Sequence, residues 1–182
     1  MEESLMLDLR HGTIDTVLGE LTLVANGDNL RALYFPGHWH LPDSSTFGAD
    51  IDATNDEYFQ TVKVELDEYL AGQGTHFTIA VQPQGNDFSQ EVWALLQEIP
   101  YGETMTYGET MTYGEIAQQL GNKHLAQRVG QVVGRNPVSI IIPCHRVIGS
   151  DGSLTGYAGG LDRKRFLLEL EEPAEVTETR LF

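Results

Sequence analysis

The chain has 182 residues, 41% of them hydrophobic and 21% charged, enough apolar sequence for one domain or two small ones closely packed around a core. No apolar run approaches the roughly 18 residues that a membrane-spanning helix needs, and the single cysteine, Cys144, excludes an internal disulfide framework and a cysteine-rich zinc site. A formal charge of −16 speaks against nucleic acid as a partner only on average: residues 120–165 place Lys123, Arg128, Arg135, Arg146, Arg163, Lys164 and Arg165 against Asp151 and Asp162 alone.

The first ten residues, MEESLMLDLR, contain no basic segment followed by an apolar core, so no signal peptide and a cytoplasmic location are expected. Residues 5–35 read as β-structure: LTLVA and LRALYF are short runs of strand formers, and Asn26-Gly27-Asp28 between them is a hairpin signal, predicting a small antiparallel sheet. Pro36 to Ala53 lacks periodicity and reads as an irregular surface loop. From Asp56, Tyr58, Phe59, Val62, Leu66, Tyr69 and Leu70 recur at helical spacing, with Asn55 as cap and Gly72 as stop. HFTIAV, residues 76–81, is expected to add a strand. Nothing in this N-terminal part looks reactive.

Further on, Asp87 is expected to cap a helix whose Phe88, Val92, Leu95, Leu96 and Ile99 form one stripe, ended by Pro100. EIAQQL predicts a short helix, Gly121 a turn, and Leu125 to Gly134 a third helix, together a helix-turn-helix candidate. GETMTY occurs at 102–107 and again at 108–113, and only the second copy leads into a helical pattern, so the six extra residues read as a loop insertion. The apolar run VSIII then enters Pro143-Cys144-His145-Arg146-Val147, and because proline disfavours the helical region at Ile142 the run is expected to arrive extended. A glycine-rich stretch, a helix from Asp162 to about Glu171 and an acidic tail expected to be disordered complete the chain. The domain division is 1–85, 86–172 and tail 173–182.

Cysteine beside histidine is the one pairing here with evident chemistry: an imidazole that takes the thiol proton, directly or through water, makes a nucleophile. Neighbouring strand residues point to opposite faces, so the two share a site only if the backbone leaves the strand conformation at that point.

FSQEVWALLQEIPYG, TYGEIAQQLG, RNPVSIIIPCHRVIGSDGSLTGYAGG and DRKRFLLELE, from about Asp87 to Glu171, strongly resemble the O6-alkylguanine-DNA alkyltransferases, the methylated-DNA–protein-cysteine methyltransferases. The resemblance implies an α+β fold, with a ribonuclease H-like N-terminal sheet and helix packed on a mainly helical, winged-helix-like C-terminal domain. It implies single-turnover DNA repair in which a monomer needing no cofactor or metal takes the alkyl group of O6-alkylguanine in double-stranded DNA onto its own cysteine. Carried over, Cys144 is the acceptor, His145 its base through a water, Glu171 the group orienting the imidazole, and Asn136 the brace of the reactive turn. Tyr157 and the backbones of Val147 and Ala158 would hold the extrahelical guanine. Tyr113 would press on a phosphate, and the arginine that fills the vacated stack falls on Gln127, with Arg128 next to it; Arg135 is counted with them as DNA-binding. Intact PCHRV argues against the alternative of a lesion binder without chemistry, and acidity with a buried cysteine motif argues against a helix-turn-helix regulator.

Overall fold

A computed structural model describes residues 8–102, 117, 118, 120–148 and 156–172. Strands β1 (Leu9–Thr16), β2 (Gly19–Asn26) and β3 (Asn29–Tyr34) form the expected antiparallel meander, the β2–β3 hairpin turning at Gly27, whose φ of 57° a residue with a side chain rarely adopts. Side chains alternate between faces: Leu21, Leu23 and Ala25 enter the main core, whereas Val24, Ala32 and Tyr34 meet Phe47 on the opposite face in a second, smaller cluster.

The sheet is mixed rather than purely antiparallel. Ala49–Asp50 forms β4, pairing parallel with β1 through Arg10↔Ala49 and His11↔Asp50, in the order β3-β2-β1-β4. The stretch from Pro36 to Ala53 is therefore more ordered than its composition suggests, with 3-10 turns at Ser44–Thr46 and Ala53–Asn55 capped by Asp43 and Asp52. Residues 76–81 do not form the expected strand; only Val81 bridges to Leu30.

Helix α1 (Glu57–Leu70) buries Phe59, Val62, Leu66, Tyr69 and Leu70, the predicted stripe. Its cap is Asp56 rather than Asn55, because the Asp56 carboxylate accepts from Phe59 N at 2.9 Å and is also held by Arg10 Nε at 2.6 Å. Helix α2 (Asp87–Gln97) is likewise capped one residue earlier than expected, by Asn86, whose side chain accepts from Ser89 N at 2.9 Å. Its stripe turns Trp93 inward, where the indole N–H donates to Val132 O at 3.2 Å on helix α3 (Ala126–Gly134). Helix α4 spans Leu161–Glu171. Of the expected helix EIAQQL, Ala117 and Gln118 are helical, and the rest except Leu120 lies outside the described residues, as do most of the GETMTY repeat, the start of the glycine-rich stretch and the acidic tail.

The two halves meet along β3. Its Leu33 N donates to Pro137 O at 2.8 Å, so Leu33 bridges Val138, while Leu30 bridges Val81 further up the same edge. The edge of the N-terminal sheet thus grips the segment that leads into the cysteine.

Candidate active site

Between α3 and Cys144 the chain makes a tight turn instead of an extended run. Ile142 N donates to Val138 O at 3.0 Å and Ile141 N to Ser139 O at 2.9 Å, with Ile140 buried in a left-handed conformation, φ 72°. A β-branched residue there costs about 1–3 kcal/mol, so the surroundings must enforce it. Asn136 does so from inside: its Nδ2 donates to Ile142 O at 2.8 Å and its Oδ1 accepts from Val138 N at 3.0 Å, closing the turn from both ends. The extended entry expected from the proline is thus replaced by a turn, whose closure depends on one asparagine side chain and is invisible to periodicity.

Past Pro143, residues Cys144–Arg146 form a 3-10 turn. This is the departure from strand geometry that a shared Cys-His site requires. His145 is fully buried and its Nε2 lies 2.9 Å from Glu171 Oε1 on α4, 26 residues later. A carboxylate facing Nε2 fixes the proton on that nitrogen, leaving Nδ1 as an acceptor; Nδ1 is buried without a hydrogen-bond partner among the described residues.

Glu171 has more partners than the sequence indicates. Arg146 takes both oxygens, Nε to Oε2 at 2.9 Å and Nη2 to Oε1 at 2.7 Å, and Tyr69 OH donates to Oε1 at 2.5 Å from α1. The N-terminal half is therefore not remote from the chemistry, contrary to its unreactive appearance. Tyr69 belongs to an ordinary helical stripe, and only the tertiary fold reveals that its hydroxyl turns toward α4.

Electrostatics follow from this arrangement. Burial pushes the Cys144 thiol up, opposed by a hydrogen bond with Asn136 and the charge of Lys164. Burial also lowers His145, against the pull of Glu171, so the resting imidazole is neutral. Burial works against ionising Glu171, yet hydrogen bonds from His145 and Arg146, with their charges, hold its carboxyl down at about 2. The group is thus an uncharged thiol, a neutral imidazole with one exposed lone pair, and a fixed carboxylate behind it: the components of a Cys-His-acid proton relay.

Around Cys144 lie the other expected pocket groups. Tyr157 is buried, its hydroxyl beside Ser139 and without a hydrogen-bond partner among the described residues, and burial pushes its phenol well up, so it stays a proton donor. Its ring meets Phe35 edge-on at 5.8 Å, a contact supplied by the end of β3. Val147 O accepts from Lys164 Nζ at 2.6 Å, and Ala158 O from Trp39 N at 2.9 Å. No group of three or more histidine, cysteine or acidic side chains able to hold a metal occurs among the described residues.

The basic cluster is not the open surface its charge count suggests. Arg146 and Lys164 are buried, and Arg163 donates to Leu18 O at 3.1 Å and Gly159 O at 2.9 Å. Gln127 and Arg128 on α3 and Arg135 just past its end are exposed, with Arg128 stacked on Phe88 of α2, 4.0 Å from its ring centroid. Tyr113 lies outside the described residues.

Comparison with known proteins points in one direction. The family model described as 6-O-methylguanine DNA methyltransferase, ribonuclease-like domain, matches residues 9–83, and the one described as its DNA binding domain matches residues 106–173. A methylated-DNA–protein-cysteine methyltransferase of Mycobacterium tuberculosis is 44% identical over 180 residues, covering 93% of this chain and 98% of the relative. One from Methanosarcina acetivorans is 50% identical over 117 residues, 64% of this chain and 71% of the relative. The crystal structure of Mycobacterium tuberculosis OGT in complex with DNA superposes with a TM-score of 0.78 at 42% identity, over 92% of this chain and 98% of that one.

Proposed function

The chain belongs to the 6-O-methylguanine DNA methyltransferase family, and from that membership we propose how its own residues divide the work of DNA repair by alkyl transfer to cysteine. Its partner is DNA, and no helix among the described residues is long and apolar enough to cross a membrane. The lesion is alkylated guanine, and the acceptor is the only cysteine in the chain, Cys144.

His145 Nδ1 takes the Cys144 proton through a water, and Glu171 stabilises the imidazolium that results. The thiolate attacks the alkyl carbon; the S–C bond forms as the C–O6 bond breaks, and the electron pair leaves on O6. A proton from Tyr157 neutralises the guanine anion, and the proton held by His145 passes to the Tyr157 phenolate, leaving both groups neutral again. No water attacks the thioether, so each molecule reacts once. A base in the stack is out of reach of a buried thiol, so the guanine must turn out of the duplex at a cost of a few kcal/mol. Gln127 and Arg128, exposed on α3, and Arg135 at its C-terminal end are the groups that meet the DNA.

The observation that carries this reading is a buried His145 Nδ1 without a partner among the described residues, a His145–Glu171 contact of 2.9 Å and a neighbouring cysteine, all from one 3-10 turn. Incubation with a duplex containing O6-methylguanine, followed by mass spectrometry, tests it. The Cys144 peptide gains one methyl group per molecule, and Cys144→Ser gains none; repeated turnover or an unmodified Cys144 would overturn it.

A further inference from the structure

The phenol of Tyr69 lies on α1, 102 positions before Glu171, yet it donates to Glu171 Oε1 at 2.5 Å and stands 3.4 Å from His145 Nε2. It is 1% exposed, and its ring is wedged between Phe77, at 5.0 Å, and Tyr101, at 6.1 Å. The hydroxyl therefore has little freedom to turn away. Its acceptor is the same oxygen that receives His145 Nε2.

From this geometry we propose that Tyr69 is a positioning residue of the alkyl transfer, through which the N-terminal domain sets the proton affinity of His145. The inference rests on the proton relay assigned above. Each donor to Oε1 disperses part of the carboxylate charge, and what Tyr69 withdraws is no longer available to the imidazolium. The phenol stays protonated, since burial and the neighbouring carboxylate both oppose its ionisation, so it acts as a fixed donor and never as a base. The other groups around His145 are Glu171 and Lys164 from α4, with Arg146 and Cys144 on its own turn; Tyr101 approaches Tyr69 and Glu171 from the segment after α2. His145 Nε2 lies 3.4 Å from the Tyr69 hydroxyl and 2.9 Å from Glu171 Oε1, and of these two neighbours Tyr69 comes from the N-terminal half.

A role in holding Glu171 has a directional signature that packing lacks. Removing the hydroxyl in Tyr69→Phe returns charge to Oε1 and raises the proton affinity of His145; a fluorinated tyrosine at position 69, a stronger donor of nearly the same shape, lowers it. The experiment measures the rate of Cys144 alkylation by O6-benzylguanine against pH for the full chain and both variants, with a ¹⁵N titration of His145 in the unreacted proteins. We expect the acid limb and the ¹⁵N midpoint to move up by roughly half a pH unit in Tyr69→Phe and down in the fluorotyrosine protein. Unmoved midpoints, or midpoints moving in the same direction in both proteins, overturn the proposal. The fluorotyrosine arm keeps the test valid if the phenylalanine variant folds poorly. Since the ¹⁵N midpoint is read without any alkyl transfer, failure of the repair reaction and failure of this inference are told apart.

Discussion

The guanidinium of Arg146 and the carboxylate of Glu171 meet side-on inside the protein, Nε to Oε2 at 2.9 Å and Nη2 to Oε1 at 2.7 Å, while Nη1 takes the carbonyl of Ile99 at 2.6 Å. One residue thus ties the reactive turn, α4 and the end of α2 together. Removing it strands a buried carboxylate, for which a loss of about 3–5 kcal/mol is expected in Arg146→Leu. Arg146→Lys keeps the charge but loses the planar fork, so it recovers only part of that loss. Denaturant unfolding of the two variants checks both, and equal stability of Lys and Leu would refute the role given to the fork.

Asn136 is expected to matter for stability and rate at once, since its two bonds, 2.8 Å to Ile142 O and 3.0 Å from Val138 N, hold the turn in which Ile140 is left-handed. Asn136→Ala leaves two buried backbone groups unpaired and costs on the order of 2–3 kcal/mol, with alkylation of Cys144 slowed in the fraction that remains folded. Asn136→Asp still accepts from Val138 N but cannot donate to Ile142 O, and it brings a negative charge toward the thiol, pushing Cys144 further up. The thiol titration of this variant, followed by ultraviolet absorbance, moves to higher pH.

Much of this architecture could be read from the residues, and the parts that could not share a cause. The 3.6-residue stripes of α1 and α2, the Asn26-Gly27-Asp28 hairpin and the PCHRV site are local patterns. The caps missed by one residue because Asn55-Asp56 and Asn86-Asp87 each offer two competent side chains, and the choice is made by the geometry of entry and by partners such as Arg10. Residues 76–81 have strand composition but find only one bridge at the β3 edge. Tyr69, Arg146 and Lys164 carry no sequence mark of their role, because what distinguishes them is a partner 102, 25 or 17 positions away.

On the DNA side, Arg128 is stacked 4.0 Å over Phe88, which leaves Gln127 as its exposed neighbour where a vacated base stack would need filling. Glutamine offers less surface and no charge for that purpose. Gln127→Arg is therefore expected to raise the rate of alkyl transfer from a duplex severalfold while leaving transfer from free O6-benzylguanine unchanged, because the free base needs no flipping. Stopped-flow rates on both substrates decide it, and equal duplex rates for the two proteins would remove the idea.

Acid sensitivity follows from Glu171. Its carboxyl is held at about 2, below the ordinary value of 4.5, so the unfolded chain binds that proton more tightly than the folded one. The stabilisation is complete above the ordinary carboxylate range and is lost as pH falls from there toward 2, an effect on the order of 3 kcal/mol from this site. His38, pushed down to about 4 chiefly by burial, adds a loss that begins higher, between its ordinary 6.5 and 4. Unfolding free energy against pH should fall in these two windows. Glu171→Gln, less stable at neutral pH, should flatten the lower one and leave the His38 contribution to the upper one in place.

The support beneath Tyr157 depends on a missing side chain. A Cβ on Gly159 would overlap Cδ2 of Phe35, closer than any real contact, and Phe35 is the ring that meets Tyr157 edge-on at 5.8 Å. Gly159→Ala must therefore displace Phe35, and Tyr157 with it, at a cost of about 1–3 kcal/mol for the overpacking. If Tyr157 holds the lesion, the alkylation rate falls along with stability. Phe35→Leu in the same chain removes the clashing ring edge, so the double variant should regain stability over Gly159→Ala alone, a non-additivity of at least about 1 kcal/mol. Rate need not return with it, since leucine supplies no ring edge to Tyr157: recovery of stability without recovery of rate locates the function of Phe35 in orienting the tyrosine, and simple additivity of the two single variants would show that the contact carries no weight.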